Sequence, residues 1–103
     1  MEYQLRLHEL AEAELDAIFD TLNREAGPIT AGQYVGGLYD LINGLTTFPE
    51  RGTVRPGPVP GLRIIGFRRS ASLAFTVEAH HITILGVFWR GQNVTPEILK
   101  NRL

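Results

Sequence analysis

The segment ELAEAELDAIFDTLNREAGPITAGQYVGGLYDLINGL, residues 9–45, predicts two consecutive helices. Gly27 can end the first helix, predicted over 9–25, and Pro28 has the fixed φ angle that suits the first turn of the second. Because the connection is so short, the two helices are expected to pack antiparallel as a helical hairpin. In both halves the apolar residues have the spacing of one helix face: Ala11, Leu15, Ile18 and Leu22, then Ala31, Tyr34, Leu38, Leu41 and Leu45.

The segments on either side of this hairpin have the two-residue period of strands. Upstream, apolar and polar residues alternate and predict a strand over 2–7. Between Phe48 and Gly61 the prolines and glycines are too frequent for a helix or a central strand, so an ordered loop is expected there. His80 and His81 are placed in a turn. Further strands are predicted over 62–67, 73–79 and 82–89.

The order of these elements predicts an α+β fold. Thr95 and Pro96 have the residue types of a helix N-cap and first turn, so a short C-terminal helix is expected to end near Asn101. The segment 82–89 is apolar at nearly every position, which is typical of a central strand covered on both faces. We therefore expect an N-terminal strand, an antiparallel helical hairpin and a three-stranded antiparallel meander. All strands should form one antiparallel sheet with the hairpin on one face.

The composition indicates a single globular domain over residues 1–103. The chain is 44% hydrophobic and 20% charged, and it has no cysteine, which excludes disulfides, thiolate metal sites and a cysteine nucleophile. No segment approaches the roughly 20 apolar residues of a membrane span, and no targeting signal is visible, so a cytoplasmic protein is expected. Adjacent histidines in an extended chain point to opposite sides, so His80 and His81 predict no metal site. No cofactor is expected.

The charges of the chain are sorted by half. Residues 1–50 contain nine acidic and two basic residues, a balance of −7, whereas residues 51–103 contain eight basic and two acidic residues, a balance of +6. The net charge of −1 therefore conceals two opposed fields, and the basic half can attract an anionic partner.

The order and spacing of several motifs resemble the ParE/RelE superfamily of bacterial toxins, and the ParE branch most closely. The resemblance covers nearly the whole chain, although no single motif in it is highly specific. It implies a toxin of a type II toxin–antitoxin system. The matching features are the helix from Gly27-Pro28 through Ala31, Tyr34, Leu38, Ile42 and Leu45, the segments 48–52 and 60–63, the strand 73–77, and the strand 82–88 leading into 89–92.

The end of the last strand departs from the pattern of that superfamily. Gly86 stands where an arginine is common, Trp89 where a histidine is common, and Gln92-Asn93 where an arginine and an acidic residue are common. This end of the predicted sheet has therefore lost charge. Gly36-Gly37 inside the second helix is also unusual, because each glycine costs about 1 kcal/mol relative to alanine, and it suggests close approach by another backbone or by a partner.

The resemblance implies two possible activities, poisoning of DNA gyrase or ribosome-dependent cleavage of mRNA. Cleavage of RNA requires proton transfer and stabilisation of phosphate charge. If the chain is a nuclease, Arg63, Arg68 and Arg90 could serve in catalysis, but an arginine is a poor base at neutral pH. The groups left for proton transfer are His80 and His81 in a turn and two late acids. We therefore favour a poison that binds gyrase over an enzyme.

The same resemblance implies which residues contact the target and the antitoxin. Target contacts are expected at Arg63, Trp89 and Arg90. The partner is expected to be a cognate antitoxin whose acidic or partly disordered C-terminal segment folds onto this domain as a hetero-oligomer. A non-toxic module that only binds an antitoxin is a third alternative. Contacts with the antitoxin are expected at Leu73, Phe75, Arg68 and Arg69.

Overall fold

The structure, a computed structural model, describes residues 3–103 of the chain. The N-terminal strand was predicted over 2–7, and its first residue lies outside the described part. The elements are β1 (Gln4–Leu7), α1 (Glu9–Ala26), α2 (Pro28–Gly44), β2 (Thr53–Val54), β3 (Leu62–Phe67), β4 (Ala71–Val77), β5 (His81–Trp89) and α3 (Pro96–Lys100).

The helical hairpin forms as the sequence predicts. The His8 side chain accepts a hydrogen bond from the Leu10 amide at 3.1 Å and so caps the start of α1. Gly27, with a φ angle of 90°, separates the two helices, and Pro28 occupies the first turn of α2. The hydroxyl of Thr95 accepts from the Ile98 amide, which confirms it as the N-cap of α3.

The sheet differs from the prediction in its strand count and in one strand direction. It has five strands in the order β1-β5-β4-β3-β2, and β1 runs parallel to β5, so the sheet is mixed. Helices α1 and α2 return the chain across one face of the sheet, which brings β5 alongside β1 in the same direction. A two-residue period does not reveal strand direction, so the prediction of a wholly antiparallel sheet was wrong.

The additional strand lies in the segment predicted to be a loop. Thr53 pairs with Ile64 and Val54 with Arg63 at the outer edge of β3. An edge strand needs partners on one side only, so nearby prolines and glycines do not exclude it. Strand β4 covers 71–77, where 73–79 was predicted, and His81 is the first residue of β5 and lies outside the preceding turn.

Side chains are buried on both faces of the sheet, as expected for β5. Strand β5 lies between β1 and β4 and is buried along most of its length. One apolar cluster fills the space between the sheet and the hairpin, and a second lies on the opposite face against α3. The first includes Leu15, Ile18, Leu38, Ile42, Leu73, Phe75, Ile82, Ile84 and Val87; the second includes Val59, Leu62, Ile64, Ala74, Leu85, Phe88 and Leu99.

Across residues 3–103, none of the helices is both long and apolar enough to cross a membrane.

Candidate functional site

Three arginines lie at the end of the sheet where β3 turns into β4 and where β5 ends. Arg68, Arg69 and Arg90 have φ angles of 47°, 56° and 52°, and they are the non-glycine residues with positive φ in the described chain. The two turns are joined because the Arg90 amide donates to the Ser70 carbonyl at 2.9 Å. Left-handed backbone is uncommon for residues of this type, and such conformations concentrate at functional sites.

Three aromatic rings lie beside these arginines. The Tyr34 ring from α2 meets Phe67 edge-on, with centroids 5.2 Å apart, and lies 6.3 Å from the half-buried Trp89. The Tyr34 hydroxyl also forms a hydrogen bond with the Ser70 hydroxyl in the β3–β4 turn. Through these contacts α2 packs against the β3–β4 turn and against the end of β5. We call the group formed by Tyr34, Phe67, Arg68, Arg69, Ser70, Trp89 and Arg90 the turn-end surface.

The aromatic rings hold two of the guanidinium groups. The Arg68 Cζ atom is 4.9 Å from the centroid of Phe67 and 6.0 Å from that of Tyr34. The Arg90 Cζ atom is 4.0 Å from the centroid of Trp89. A cation over an aromatic face is attracted by the ring quadrupole, by about 0.5–1 kcal/mol at exposed sites. The turn-end surface therefore presents positive charge from partly ordered side chains.

Gly37 allows α2 to approach this surface closely. A Cβ atom at Gly37 would lie 2.8 Å from the Phe67 ring and 3.1 Å from Arg68 Nη2, whereas one at Gly36 would meet nothing within 4 Å. The close approach inferred from Gly36-Gly37 is therefore made to the side chains of the β3–β4 turn, and it involves only the second glycine.

Arg90 also forms an ion pair with Glu25 near the end of α1. Its Nη1 and Nη2 atoms donate to the two carboxylate oxygens at 3.0 and 2.7 Å. The hydrogen bonds from Arg90 lower the pKa of Glu25, and the same bonds raise the pKa of Arg90. The carboxylate therefore stays ionised at neutral pH and partly neutralises Arg90. Within residues 3–103 the structure records no ion pair of Arg68 or Arg69.

A cleft of about 270 Å³ opens on the other face of the β3–β4 turn. Its polar lining residues are Arg69, Ser70, Ser72 and Gln92, and none of its lining residues within 3–103 is acidic. The Gln92 side chain also accepts a hydrogen bond from the Trp89 amide at 3.0 Å, which connects the cleft to the end of β5. Arginine, serine and glutamine side chains can donate hydrogen bonds to a carboxylate or phosphate group.

The structure separates Arg63 from the other predicted target contacts. Arg63 and Phe67 are four residues apart on β3, about 13 Å at 3.3 Å per residue, and the turn-end surface lies beyond Phe67. Arg63 is half-buried, and its Nη1 atom lies 3.4 Å from the Arg51 carbonyl oxygen beside the edge strand β2. Trp89 and Arg90 do lie together, and Arg68 and Arg69 lie beside them.

Two of the residues predicted to contact an antitoxin are in the core. Leu73 and Phe75 are fully buried between the sheet and the helices. Neither side chain is available to a partner in this structure, because the alternation of β4 directs both towards the hairpin. Arg68 and Arg69, the other two residues in that set, are exposed.

Sequence reasoning missed the role of three residues that shape this surface. Tyr34 was noted only in the core stripe of α2 and in the resemblance, and Glu25 and Ser70 were not singled out. Their partners are distant in the chain: Tyr34 and Ser70 are 36 positions apart, and Glu25 and Arg90 are 65 apart. Only the positions of Arg68-Arg69 and Trp89-Arg90 next to strand ends indicated the site. Within residues 3–103 no group of three potential metal ligands comes together.

The chain is similar to one known family and to several solved structures. Residues 5–94 match the family described as the ParE toxin of the type II toxin–antitoxin system parDE. The chromosomal ParDE toxin–antitoxin system from P. aeruginosa contains a similar chain, with 30% identity and a TM-score of 0.73, over 85% of this chain and 96% of that one. No curated protein matches the chain.

Two more distant structures share the fold. A chain of the toxin–antitoxin complex RelBE2 from Mycobacterium tuberculosis is 16% identical, with a TM-score of 0.64 over 87% of this chain and 100% of that one. A mutant of the E. coli toxin RelE in the free state is 17% identical, with a TM-score of 0.63 over 99% and 95% of the two chains. From the family match and the 30% identical relative, we conclude that this chain belongs to the ParE family of toxins of type II toxin–antitoxin systems.

Proposed function

We propose that this toxin stops growth by binding DNA gyrase through the turn-end surface, and that a co-encoded antitoxin neutralises it. The observation that carries the proposal is the chemistry of that surface. It combines three guanidinium groups with aromatic rings at the end of the sheet where two turns meet, and a cleft that Arg69 and Ser70 also line adjoins it. Aromatic and arginine side chains supply most of the binding energy at protein interfaces.

The same surface is poorly equipped to cleave RNA. Proton transfer is most efficient through a group whose pKa lies near the operating pH. Glu25 is held ionised by Arg90, which lowers its pKa, and the Tyr34 hydroxyl is bonded to Ser70. His80 precedes β5 and His81 begins it, whereas Trp89 ends it, so these imidazoles lie at the far end of the strand. Binding therefore fits the surface better than catalysis.

A cognate antitoxin would neutralise the toxin by covering this surface. The similar structures from P. aeruginosa and M. tuberculosis come from a toxin–antitoxin system and a toxin–antitoxin complex. Arg68 and Arg69 are exposed cations, so an acidic antitoxin segment would complement them. A disordered segment that folds on binding can cover a large area in this way. The contact would use the exposed turn and leave the buried Leu73 and Phe75 in the core.

Expression of the chain without its antitoxin tests the target. Incorporation of labelled thymidine, uridine and leucine is followed after induction, and thymidine incorporation is expected to fall first. In vitro, the purified chain is expected to inhibit supercoiling by gyrase or to stabilise cleaved DNA. Halted translation with normal DNA synthesis would contradict the gyrase target, and new mRNA 5′ ends by primer extension would indicate a nuclease.

Matched variants test the surface. Arg90→Gln and Arg68→Gln each remove one guanidinium from the turn-end surface, and each is expected to weaken growth inhibition, by about tenfold for a contact worth 1.4 kcal/mol. Arg24→Gln is the control, because Arg24 is exposed on α1, lies outside the turn-end surface and donates to the Thr21 hydroxyl at 3.4 Å. Equal inhibition by all three variants would place the target contact elsewhere. Unimpaired growth with the unmodified chain would favour a module that only binds an antitoxin.

A further inference from the structure

Strand β5 contains one extra residue relative to its neighbour β4. Ala74 lies opposite Gly86 and Phe75 lies opposite Ile84, so Leu85 has no partner on β4. An insertion of this kind is a β-bulge, which disrupts the ladder locally and can redirect the side chains that follow it.

The bulge decides which face of the sheet Trp89 occupies. Before it, Ile82 and Ile84 face the helices, and after it Val87 and Trp89 do. Uninterrupted alternation from Ile84 would place residues 86 and 88 on the helix side and Trp89 on the opposite face. Without the bulge, Trp89 could not lie beside Tyr34 in the turn-end surface.

An ion pair binds the backbone of β5 at the bulge residue and two positions after it. Within the described chain, β1 ends opposite Ile84, so the outer edge of β5 has no strand neighbour from Leu85 onward. There Arg102 Nη1 donates to the Leu85 carbonyl oxygen at 3.1 Å, and Glu14 Oε1 accepts from the Val87 amide at 3.0 Å. The two side chains also pair with each other, at 2.8 and 3.0 Å. We call Glu14 and Arg102 the edge pair.

The edge pair takes the place of one residue of a neighbouring strand. In a parallel ladder, one residue donates to a carbonyl and accepts from an amide two positions further on. Arg102 and Glu14 supply this donor and this acceptor from α1 and the C-terminal segment. The roles cannot be exchanged, because a carboxylate has no hydrogen to donate to the Leu85 carbonyl.

We propose that Glu14 and Arg102 are positioning residues that hold the bulge at Leu85 and thereby fix Trp89 against Tyr34. The edge pair forms hydrogen bonds with the backbone of β5 at Leu85 and Val87, so its effect on Trp89 passes through that strand. The consequence for growth inhibition rests on the proposed function, whereas the position of Trp89 can be measured without it.

The test uses the full chain produced in a cell-free system, with Arg102→Gln, Arg102→Lys and Glu14→Gln. Trp89 is the single tryptophan, so its fluorescence and its proton contacts to Tyr34 report on its position. In Arg102→Gln we expect a shift in the emission maximum and a loss of the Trp89–Tyr34 contacts. Amide exchange at Val87 should become about tenfold faster, because the Glu14 carboxylate that accepts from this amide loses the Arg102 partner that holds it in place. Lys100→Gln, an exposed change in α3, should alter none of these.

Each outcome decides the inference. If Arg102→Gln does not fold, Arg102→Lys and Glu14→Gln, which keep either the charge or the acceptor, are expected to show the same changes to a smaller extent. Unchanged fluorescence and unchanged Trp89–Tyr34 contacts, with faster exchange at Val87, would overturn the proposal. Displaced Trp89 with full growth inhibition would overturn only its functional part. Absence of inhibition by the unmodified chain would instead refute the proposed function and leave the positioning result standing.

Discussion

The Glu14–Arg102 and Glu25–Arg90 pairs have nearly the same bidentate geometry, and their surroundings differ. In the first, the arginine and glutamate side chains are 11% and 23% exposed, and both also bind the backbone of β5. In the second, they are 50% and 47% exposed, and the arginine lies over Trp89. Bond lengths alone therefore do not indicate how much an ion pair contributes to the stability of the fold.

The difference lies in what removing one partner leaves behind. Without Glu14, a mostly buried guanidinium and the Val87 amide lose their partners, and water can replace them only poorly. Without Glu25, water replaces the carboxylate at the surface. The first pair should therefore stabilise the fold, and the second should adjust the charge that the turn-end surface presents.

The largest expected effect is the loss of Glu14, compared with the loss of Glu25 in a separate variant. Glu14→Ala should lower the free energy of unfolding by about 2–3 kcal/mol, because it leaves a partly buried charge and an amide unpaired. Glu25→Ala, on the same helix, should lower the free energy of unfolding much less, because water replaces the exposed carboxylate. Urea denaturation measures both. Equal destabilisation by the two variants would show that burial does not distinguish the pairs.

Gly86 provides a second, smaller test of the buried pair. A Cβ atom at this position would lie 2.5 Å from Arg102 Nη1 and 2.7 Å from the Phe88 ring. Gly86→Ala should therefore destabilise the protein by about 1–2 kcal/mol through overpacking. This is the net effect, because alanine also lowers the conformational entropy of the unfolded chain, which by itself is stabilising. Thermal denaturation measures the change. A stabilised variant would mean that the Arg102 guanidinium is not held in this place.

The helices could be predicted from the sequence because an apolar stripe is a local signal, repeated every three or four residues. Gly86 shows what a local signal leaves out. The replacement of a common arginine by Gly86 was visible as a loss of charge. The presence of the Arg102 guanidinium beside Gly86 was not visible, because Arg102 and its partner Glu14 are 88 positions apart.

The direction of β1 was missed, and the distance of Arg63 from the turn-end surface was not foreseen, for related reasons. An alternating pattern identifies the buried face of a strand and contains nothing about its neighbour, so the parallel pairing of β1 with β5 had no signal. The bulge at Leu85 shifts the alternation by one residue within a continuously apolar segment, where no polar residue marks the change. Arg63 is a predicted target contact, and the length of β3 separates it from the turn-end surface.

Gly37 and Gly36 offer a smaller comparison at the exposed end. In Gly37→Ala, contact with Phe67 and Arg68 should cost slightly more than the roughly 1 kcal/mol that alanine contributes to a helix, giving a net loss below about 1 kcal/mol. Gly36→Ala meets no neighbour and should be stabilising. Thermal denaturation gives the sign for each. Growth inhibition should fall only in the Gly37 variant, because only that change displaces side chains of the turn-end surface.

The smallest effect concerns protonation of the exposed pair. Hydrogen bonds from Arg90 are the main cause of the lowered pKa of Glu25, so the pKa in Arg90→Gln should rise towards the ordinary value of 4.5. Because the folded-state pKa is lowered, the stabilisation from this pair is present above the unfolded pKa and is lost as the pH falls through the folded pKa. Carbon NMR of the Glu25 carboxyl group measures the midpoint in both proteins.

The second arginine near Glu25 supplies the control for this titration. Arg24 also lowers the pKa of Glu25, but it is the weakest of the contributing causes. Arg24→Gln should therefore move the midpoint less than Arg90→Gln does. If the two changes were equal, the long-range field of the α1 terminus would control the carboxylate. In that case Arg90 would not be paired with the Glu25 carboxylate in solution. The turn-end surface would then present the full charge of Arg90 to a partner.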